Sequence, residues 1–406
     1  MRILFYSHDS YGMGHIRRTV NVAGRLLREF PQVSGLVLTG APRAHYFTYP
    51  PGCDYIKLPS VTKNDRGDYV SLDLELSLDD TVSLRRGVIS SVARSFVPDL
   101  VLVDHTPRGL CGEVLPLLQP QRTGNRQPIR VLGLRDVIDD PGRVRKSWQA
   151  TGVVEVLRSA YDRILVYGQQ DIFDVAQEYE LPPEVERKIV YTGFVTTPLE
   201  TAPDKGEALL ATHAPRTGRL VTVTAGGGGD GLPLMRSMLR AYRALGPQPP
   251  FELLLVSGPL LSPRKRKRLA EQVRNLEGVS LLEFSPDLPR LYAISALAVT
   301  MGGYNTVCEL AAVGARALIA PRIHPRLEQQ VRADRLARRG VVDVLPPGID
   351  DPSRLARILL EALDRPRPPR NWQLDLQGLD RIGPYLAGLL RTRRPTAAWD
   401  DQGAAL

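Results

Sequence analysis

Three cysteines in 406 residues, at positions 53, 111 and 308, are too few and too scattered for a disulfide framework or a structural zinc site. A reducing cytoplasm is therefore the expected setting. No apolar run approaches the roughly 18 residues of a membrane span. The opening MRILFYSHDS enters a strand pattern at once, without the apolar stretch and cleavage site of a secretory leader. Aromatic residues make up only 6% of the chain, and its basic residues are dispersed, so no stacking platform for nucleic acid is expected. The sequence also lacks an Asp-x-Asp pair and any His/Cys/carboxylate cluster at metal-ligand spacing, and no metal or other cofactor is expected. The missing Gly-x-x-x-x-Gly-Lys-Ser/Thr loop argues against a P-loop NTPase, and the missing Gly-x-Ser-x-Gly elbow against a hydrolase of that type.

What remains is the make-up of a globular protein, 43% hydrophobic and 24% charged. A chain of 406 residues is expected to form two domains rather than one core. The net charge of +9 admits an anionic partner, whether nucleotide, acidic membrane surface or nucleic acid, although an arginine-rich composition alone gives the same balance.

The chain is organised around residues 300–333, TMGGYNTVCELAAVGARALIAPRIHPRLEQQVRA. An apolar run stops at Gly302-Gly303. A helical pattern follows, with Asn305 or Thr306 placed to cap it and Glu309 one turn in. A second apolar run ends at Pro321, and a further helix carries Glu328, Gln329 and Gln330 in its first turn. Glycines at a helix start let a phosphate reach backbone N–H groups at the positive end of the helix dipole. A carboxylate one turn on can accept two hydrogen bonds from a ribose diol. The combination points to a nucleotide-diphosphate site, against the plainer reading of a helix start with a solvated acid.

The same grammar opens the chain. Residues 3–6 read as a buried strand and residues 7–15, SHDSYGMGH, as a loop holding Gly12, Gly14 and His15. The next helix carries Ile16, Val20, Ala23, Leu27 and Phe30 on one face, and a strand at 35–39 completes a βαβ unit. Residues 62–77 are polar, acidic and without a period, and read as a long functional or mobile loop. Strands are expected at 100–104, 129–134, 164–167 and 189–191, and helices at 79–96 and 144–160. Residues 198–217 mark the domain boundary. The alternation then restarts, with strands at 220–224, 251–256, 279–282, 297–300, 317–320 and 341–345. The glycine loop AGGGGDG, residues 225–231, lies between the first of these and a helix at 232–245. Four consecutive glycines are costly in backbone entropy and persist where the backbone must approach something closely, such as a diphosphate or the opposing domain. Alternating β and α gives the α/β class, with one mostly parallel sheet per half. Leu379, Ile382, Leu386 and Leu389 can line a last helix that Gly383-Pro384 must kink or restart.

His15 is placed to act as a general base at neutral pH, the alternative being a capping or core histidine. Asp104-His105 and Arg135-Asp136 each follow a strand, where ligand crevices form. Asp104 and Asp136 therefore stand behind His15 as candidate bases, with loop capping and local ion pairs as the plain alternative. His324 reads as a donor contact or a loop residue. Residues 264–268, RKRKR, read as a solvated face or as a contact with anionic lipid.

These residues resemble a known family. Residues 300–333 are similar to the donor-binding region of glycosyltransferase family 28, which includes the peptidoglycan lipid II N-acetylglucosaminyltransferase and the plant galactolipid synthases. The match runs without gaps from Gly303 through Glu309 to Gln329 and Ala333, and Glu283-Phe284 resembles the segment beside the family's uracil site. The SHDxxGxGHxRR and GGYNTVCEL signatures look closest to a bacterial branch of predicted glycosyltransferases.

The resemblance implies the GT-B fold, with two Rossmann-like domains facing across a cleft. Residues 1–200 would bind the acceptor and residues 210–370 the nucleotide sugar, usually UDP-linked. Residues 371–394 would cross back to the first domain, and residues 395–406 read as a disordered tail. Glu309 would hold the ribose hydroxyls and Gln329 the donor sugar. Gly302 and Gly303, with Gly227 and Gly228, would lie by the diphosphate, Phe284 by the base, and Asn305, Thr306, His324 and Glu328 around the donor. Gly12, Gly14 and His15 would lie near the reacting centre. Glu328 departs from the glutamine of the cell-wall enzyme, and no match to that enzyme's acceptor residues is found. The expectation is a metal-independent, inverting transfer to the hydroxyl of a lipid, glycan or small molecule, in the cytoplasm or at the inner membrane face. A UDP-sugar 2-epimerase and a non-catalytic nucleotide-sugar-binding protein are the alternatives.

Overall fold

Near-continuous apolar runs such as LVLVD at 100–104 and LVTVT at 220–224 are what a parallel strand covered on both faces requires, and both are wholly buried. In the computed structural model the described residues are 1–8, 14–64, 68–119, 127–196 and 217–392. Gly12, residues 198–216 of the expected boundary and the tail from 395 lie outside them.

The first half supplies strands β1 (Arg2–Ser7), β2 (Ser34–Thr39), β3 (Cys53–Lys57), β4 (Val61–Lys63), β5 (Tyr69–Ser71), β6 (Leu100–Asp104), β7 (Ile129–Arg135), β8 (Arg163–Tyr167) and β9 (Ile189–Tyr191). Seven of them form a parallel sheet in the order β3-β2-β1-β6-β7-β8-β9. The second half supplies β10 (Leu220–Thr224), β11 (Glu252–Val256), β12 (Val279–Leu282), β13 (Leu297–Thr300), β14 (Ala317–Ile319) and β15 (Asp343–Val344). These make a second parallel sheet, β12-β11-β10-β13-β14-β15. In each sheet the strand order reverses once, between β1 and β6 and between β10 and β13. The crevice at the carboxyl ends of such a reversal is where open α/β sheets bind ligands.

The structure corrects several local expectations. Residues 62–77 are not structureless, because β4 and β5 pair as an antiparallel hairpin whose Val61 and Tyr69 pack in a small apolar cluster. The helix expected over 144–160 is two, Pro141–Thr151 and Val153–Ala160, broken where Gly152 turns left-handed at φ 66°. The last helix, Gly378–Thr392, runs continuously through Pro384, with Leu379, Ile382, Leu386 and Leu390 buried. It packs on the first helix, Gly14–Glu29, and Arg25 bonds Asp380 at 3.0 Å. Trp372, wholly buried, anchors the preceding segment by donating its indole N–H to the Ala315 carbonyl at 2.9 Å. One apolar cluster joins the two halves, running from Ile3 and Phe5 to Tyr304 and Val307. Among the described residues no helix is long and apolar enough to cross a membrane.

Candidate functional site

At the reversal of the first sheet, β1 delivers His8, the Gly14–Glu29 helix delivers His15, and β6 delivers Asp104 and His105. His15 lies within the helix described over Gly14–Glu29 rather than in the loop. His105 takes the left-handed conformation at φ 66°, costly for a residue with a side chain and typical of functional turns. Two bonds hold that turn, His105 N–H to Gly133 O at 2.6 Å and Thr106 N–H to Asp104 O at 2.8 Å.

Asp104 is buried. It accepts from Arg18 Nε at 2.9 Å and Arg18 Nη2 at 2.7 Å, and its Oδ2 lies 2.7 Å from His15 Nδ1. Arg18 Nη2 is also 2.9 Å from that nitrogen. An ionised carboxylate only accepts, so Nδ1 is assigned as the protonated nitrogen and donates to Asp104, which leaves Nε2 with its lone pair. Burial alone would raise the Asp104 carboxyl, but the Arg18 guanidinium and His15 outweigh it and hold the group well below the usual carboxylate range. The ring centroids of His15 and His105 are 4.8 Å apart, and those of His15 and His8 6.0 Å.

Burial, reinforced by His15, lowers His8 to about 3, and burial with Arg135 pushes His105 well below the ordinary histidine value. Both stay neutral in the native state at pH values where an unfolded chain's histidines, near pKa 6.5, take a proton. The unfolded state then binds more protons, so stability falls as pH drops below about 6.5, by up to ~1.4 kcal/mol per pH unit for each group. Denaturant melts at pH 7, 6 and 5 should show this decline, and His8→Phe should lessen it, leaving the share of His105. An identical slope in the variant would show that His8 does not titrate in this way.

At the reversal of the second sheet, the loop after β10 faces the turn after β13. Gly226, Gly227, Gly228, Gly303, Thr306 and Gln329 are among the residues around a pocket of about 170 Å³. The helix Tyr304–Ala312 starts after Gly303, which stands at the N-cap without a side-chain bond. Asn305 and Thr306 therefore do not cap it, and no cap side chain covers its first-turn N–H groups. The four-glycine loop does make a close approach, but one contact is with its own domain. A Cβ on Gly228 would lie 1.9 Å from the Ser257 carbonyl oxygen, and Gly228 has φ 86°. Gly302, at φ 77°, would place a Cβ 2.6 Å from Ile319 Cγ2.

The remaining sequence candidates are distributed as follows. Glu309 lies outside the glycine pocket and pairs with Arg17 of the first domain at 3.2 Å; burial raises its carboxyl, partly offset by Arg17. Asn305 Nδ2 lies 3.0 Å from where a Cβ on Gly14 would stand, so the starts of the two helices meet. Gln329 Oε1 accepts the Arg322 backbone N–H at 2.9 Å. Glu328 is buried and bonds Arg135 of the first domain at 2.5 Å. Burial would raise its carboxyl, but Arg135, Arg332 and Arg322 outweigh that and lower it. His324 is exposed, and Phe284 stands 49% exposed just beyond β12. Asp136 is not an open carboxylate: both its oxygens accept from Arg332, at 2.7 Å each, in a buried pair. That geometry corrects its standing as a candidate base.

Sequence reasoning missed Arg18 and Arg332, and it singled out Arg135 beside Asp136 without its partner. Arg18, Arg135 and Arg332 lock the acids of the cleft, two of them across the domain interface. The signal was present in the adjacent Arg17-Arg18 after His15 and in Arg332, one helical turn beyond Glu328 on the same face. Among the described residues no three His, Cys, Asp or Glu side chains gather as metal ligands.

Residues 221–370 match the glycosyltransferase family 28 C-terminal domain. An uncharacterized glycosyltransferase of Methanopyrus kandleri is 25% identical over 255 residues, 61% of this chain and 64% of that one. The UDP-N-acetylglucosamine–N-acetylmuramyl-(pentapeptide) pyrophosphoryl-undecaprenol N-acetylglucosamine transferase of Azotobacter vinelandii is 30% identical over 262 residues, 62% of this chain and 68% of that one. The Pseudomonas paraeruginosa protein of the same description is 31% identical over 173 residues, 42% of this chain and 48% of that one. The chain thus spans about half to two thirds of the length of these relatives. The calicheamicin glycosyltransferase CalG4 superposes with a TM-score of 0.63 at 15% identity, covering 97% of this chain and 99% of that one. A Listeria monocytogenes protein described as a UDP-N-acetylglucosamine 2-epimerase gives 0.62 at 14% identity, covering 98% of both chains. At such identities the likeness is one of fold, and the two facing parallel sheets are the GT-B arrangement.

Proposed function

Since the chain belongs to glycosyltransferase family 28, we propose that it transfers a sugar from a nucleotide-diphosphate sugar, UDP-linked, to an acceptor hydroxyl with inversion and without a metal ion. The observation that carries the reading is the 2.7 Å contact between His15 Nδ1 and Asp104, beside the helix that opens the glycine pocket. His15 Nε2 takes the acceptor's proton. The freed oxygen attacks the anomeric carbon, the bond from that carbon to the diphosphate oxygen breaks, and its electron pair leaves with the nucleotide. Asp104 then faces an imidazolium, whose charge it stabilises. Backbone N–H groups of the 226–229 loop and of the first turn of Tyr304–Ala312 receive the growing charge on the diphosphate. Gln329 and Thr306 border the donor. Glu309 reaches the ribose by exchanging Arg17 for the diol, and Phe284 offers an exposed face to the base. Three free cysteines support a cytoplasmic setting.

The test is calorimetric titration with UDP and a panel of UDP-sugars, alongside Thr306→Phe, which fills the glycine pocket, and Glu309→Ala. Binding that Thr306→Phe abolishes and Glu309→Ala weakens is the expected result. Binding untouched by both variants would remove the donor from this pocket. Conversion of a UDP-sugar to its epimer with no acceptor present would favour the epimerase reading.

A further inference from the structure

A large cavity lies mostly in the wall of the first domain, apart from the glycine pocket, with Arg326 contributed by the second half. It encloses about 640 Å³, enough for a ligand of drug-like size. Its apolar side comes from Ile138, Val144 and Trp148, and His105 belongs to its wall. Gly109 of that wall is backed by a rigid buried network in which Tyr6 donates to Glu113 at 2.5 Å and Arg85 holds both Glu113 oxygens at 2.6 Å.

The charges of this chamber are unlike those of the rest of the cleft. Elsewhere each arginine meets an acid: Arg18 meets Asp104, Arg135 meets Glu328, and Arg332 meets Asp136. The chamber holds Arg108, Arg143 and Arg326, and among the described residues none of them meets a carboxylate. Arg108 donates to the Thr151 carbonyl, and its Nε is buried without a partner. Arg143 donates to the Pro325 carbonyl at 3.1 Å. Arg326 makes no hydrogen bond or ion pair among the described residues. One carboxylate, Asp139, also lines the chamber, and its Oδ1 is already taken by the Leu327 N–H at 2.7 Å and the Asp140 N–H at 2.8 Å. His105 is held neutral by burial and by Arg135, so it adds no charge.

Guanidinium groups gathered in a concave site and not paired with an acid are matched by a carboxylate or phosphate, which they bind through paired hydrogen bonds. We propose that this chamber is the acceptor site and that the acceptor carries an anionic group in addition to the hydroxyl that receives the sugar. The anion sits among Arg108, Arg143 and Arg326. The hydroxyl lies toward His105, whose ring is 4.8 Å from that of His15. The proposal rests on the glycosyltransferase reading for the word acceptor, but the preference for an anion is measurable without turnover.

The experiment compares three probes by calorimetry on the intact protein: para-hydroxybenzoate, para-hydroxyphenyl phosphate and the neutral methyl para-hydroxybenzoate. UDP is titrated separately. The expected result is that at least one acid binds about tenfold or more tightly than the ester, a difference of about 1.4 kcal/mol. Arg108→Gln and Arg326→Gln should erase that preference, while Arg108→Gln leaves UDP affinity and the melting temperature unchanged. The carboxylate and phosphate arms show which acid the arginines favour. Equal binding of acid and ester, no binding of either acid, or a preference that survives both variants overturns the proposal. UDP binding in those cases would leave the transferase reading standing, whereas acid binding without UDP binding would sink that reading and keep the anion site.

Discussion

Replacing His15 by alanine lowers kcat for sugar transfer by about 10²–10⁴-fold, the range over which a positioned general base contributes, and leaves UDP affinity unchanged. The size of the loss follows from how thoroughly the imidazole is prepared. Its Nδ1 is committed to Asp104 at 2.7 Å, and Asp104 is itself fixed by two bonds from a buried Arg18. Nothing in that chain of contacts is free to rotate, so the lone pair on Nε2 is presented in one direction. Asp104→Asn keeps the shape but removes the charge that stabilises the imidazolium and leaves Arg18 buried without its acid; kcat should fall, and the acid-side limb of the rate profile should move to lower pH. Initial rates from pH 5 to 9 separate the two effects. A merely structural role for Asp104 would lower the rate without moving the profile. Near-wild-type turnover in His15→Ala would end the base assignment. Arg18→Ala is a poorer probe, because it leaves a buried carboxylate unpaired and costs stability as well as activity.

The fold could be read in the sequence because parallel strands announce themselves. Runs such as LVLVD and LVTVT are too apolar for a half-solvated sheet, and each is followed by a helical period. The short edge elements were less legible. Cys53–Lys57 alternates weakly because it is a half-exposed edge strand, and the 61–71 hairpin has only three residues per strand. His15, Asp104 and the two glycine-rich turns could be singled out because they come after strands of an α/β alternation, at whose carboxyl ends ligand crevices form. The role of Asp136 could not. Its partner, Arg332, lies 196 residues away, and no local pattern reports a pair made across a domain interface. The same holds for Glu309 with Arg17, 292 residues apart, and for Glu328 with Arg135. Spacing within one helix showed that these acids share a face; it did not show that the other domain supplies their cations. Arginine contributed to this silence. An exposed arginine and a buried one are the same letter, and in a chain with 53 lysines and arginines the buried few do not stand out.

The Asp136–Arg332 pair should prove the costliest single contact to break. The side chains are 2% and 1% exposed, and the guanidinium spans the domain interface. Arg332 also reaches the Gly302 carbonyl at 3.3 Å and lies 5.8 Å from the Tyr304 ring centroid, so it ties the Gly302 turn to the end of β7. Asp136→Ala leaves that buried cation without its paired carboxylate, with Glu328 still acting on it, and stability should fall by about 3–5 kcal/mol in denaturant melts. The double variant Asp136→Leu with Arg332→Met removes both charges and fills much of the same volume. It should recover most of the loss, since a buried pair replaced by apolar side chains of similar size is often neutral. A cost below about 1 kcal/mol for Asp136→Ala would mean that water reaches the pair. Recovery of stability does not imply recovery of function. The paired geometry sets how the turn at Gly302 faces the His15 helix, and apolar replacements do not impose that angle. A double variant that melts like the wild type, binds UDP, and still turns over slowly would assign the pair to aligning donor with base. A double variant with full turnover would reduce it to a structural contact, leaving alignment to Arg135–Glu328 and Arg17–Glu309.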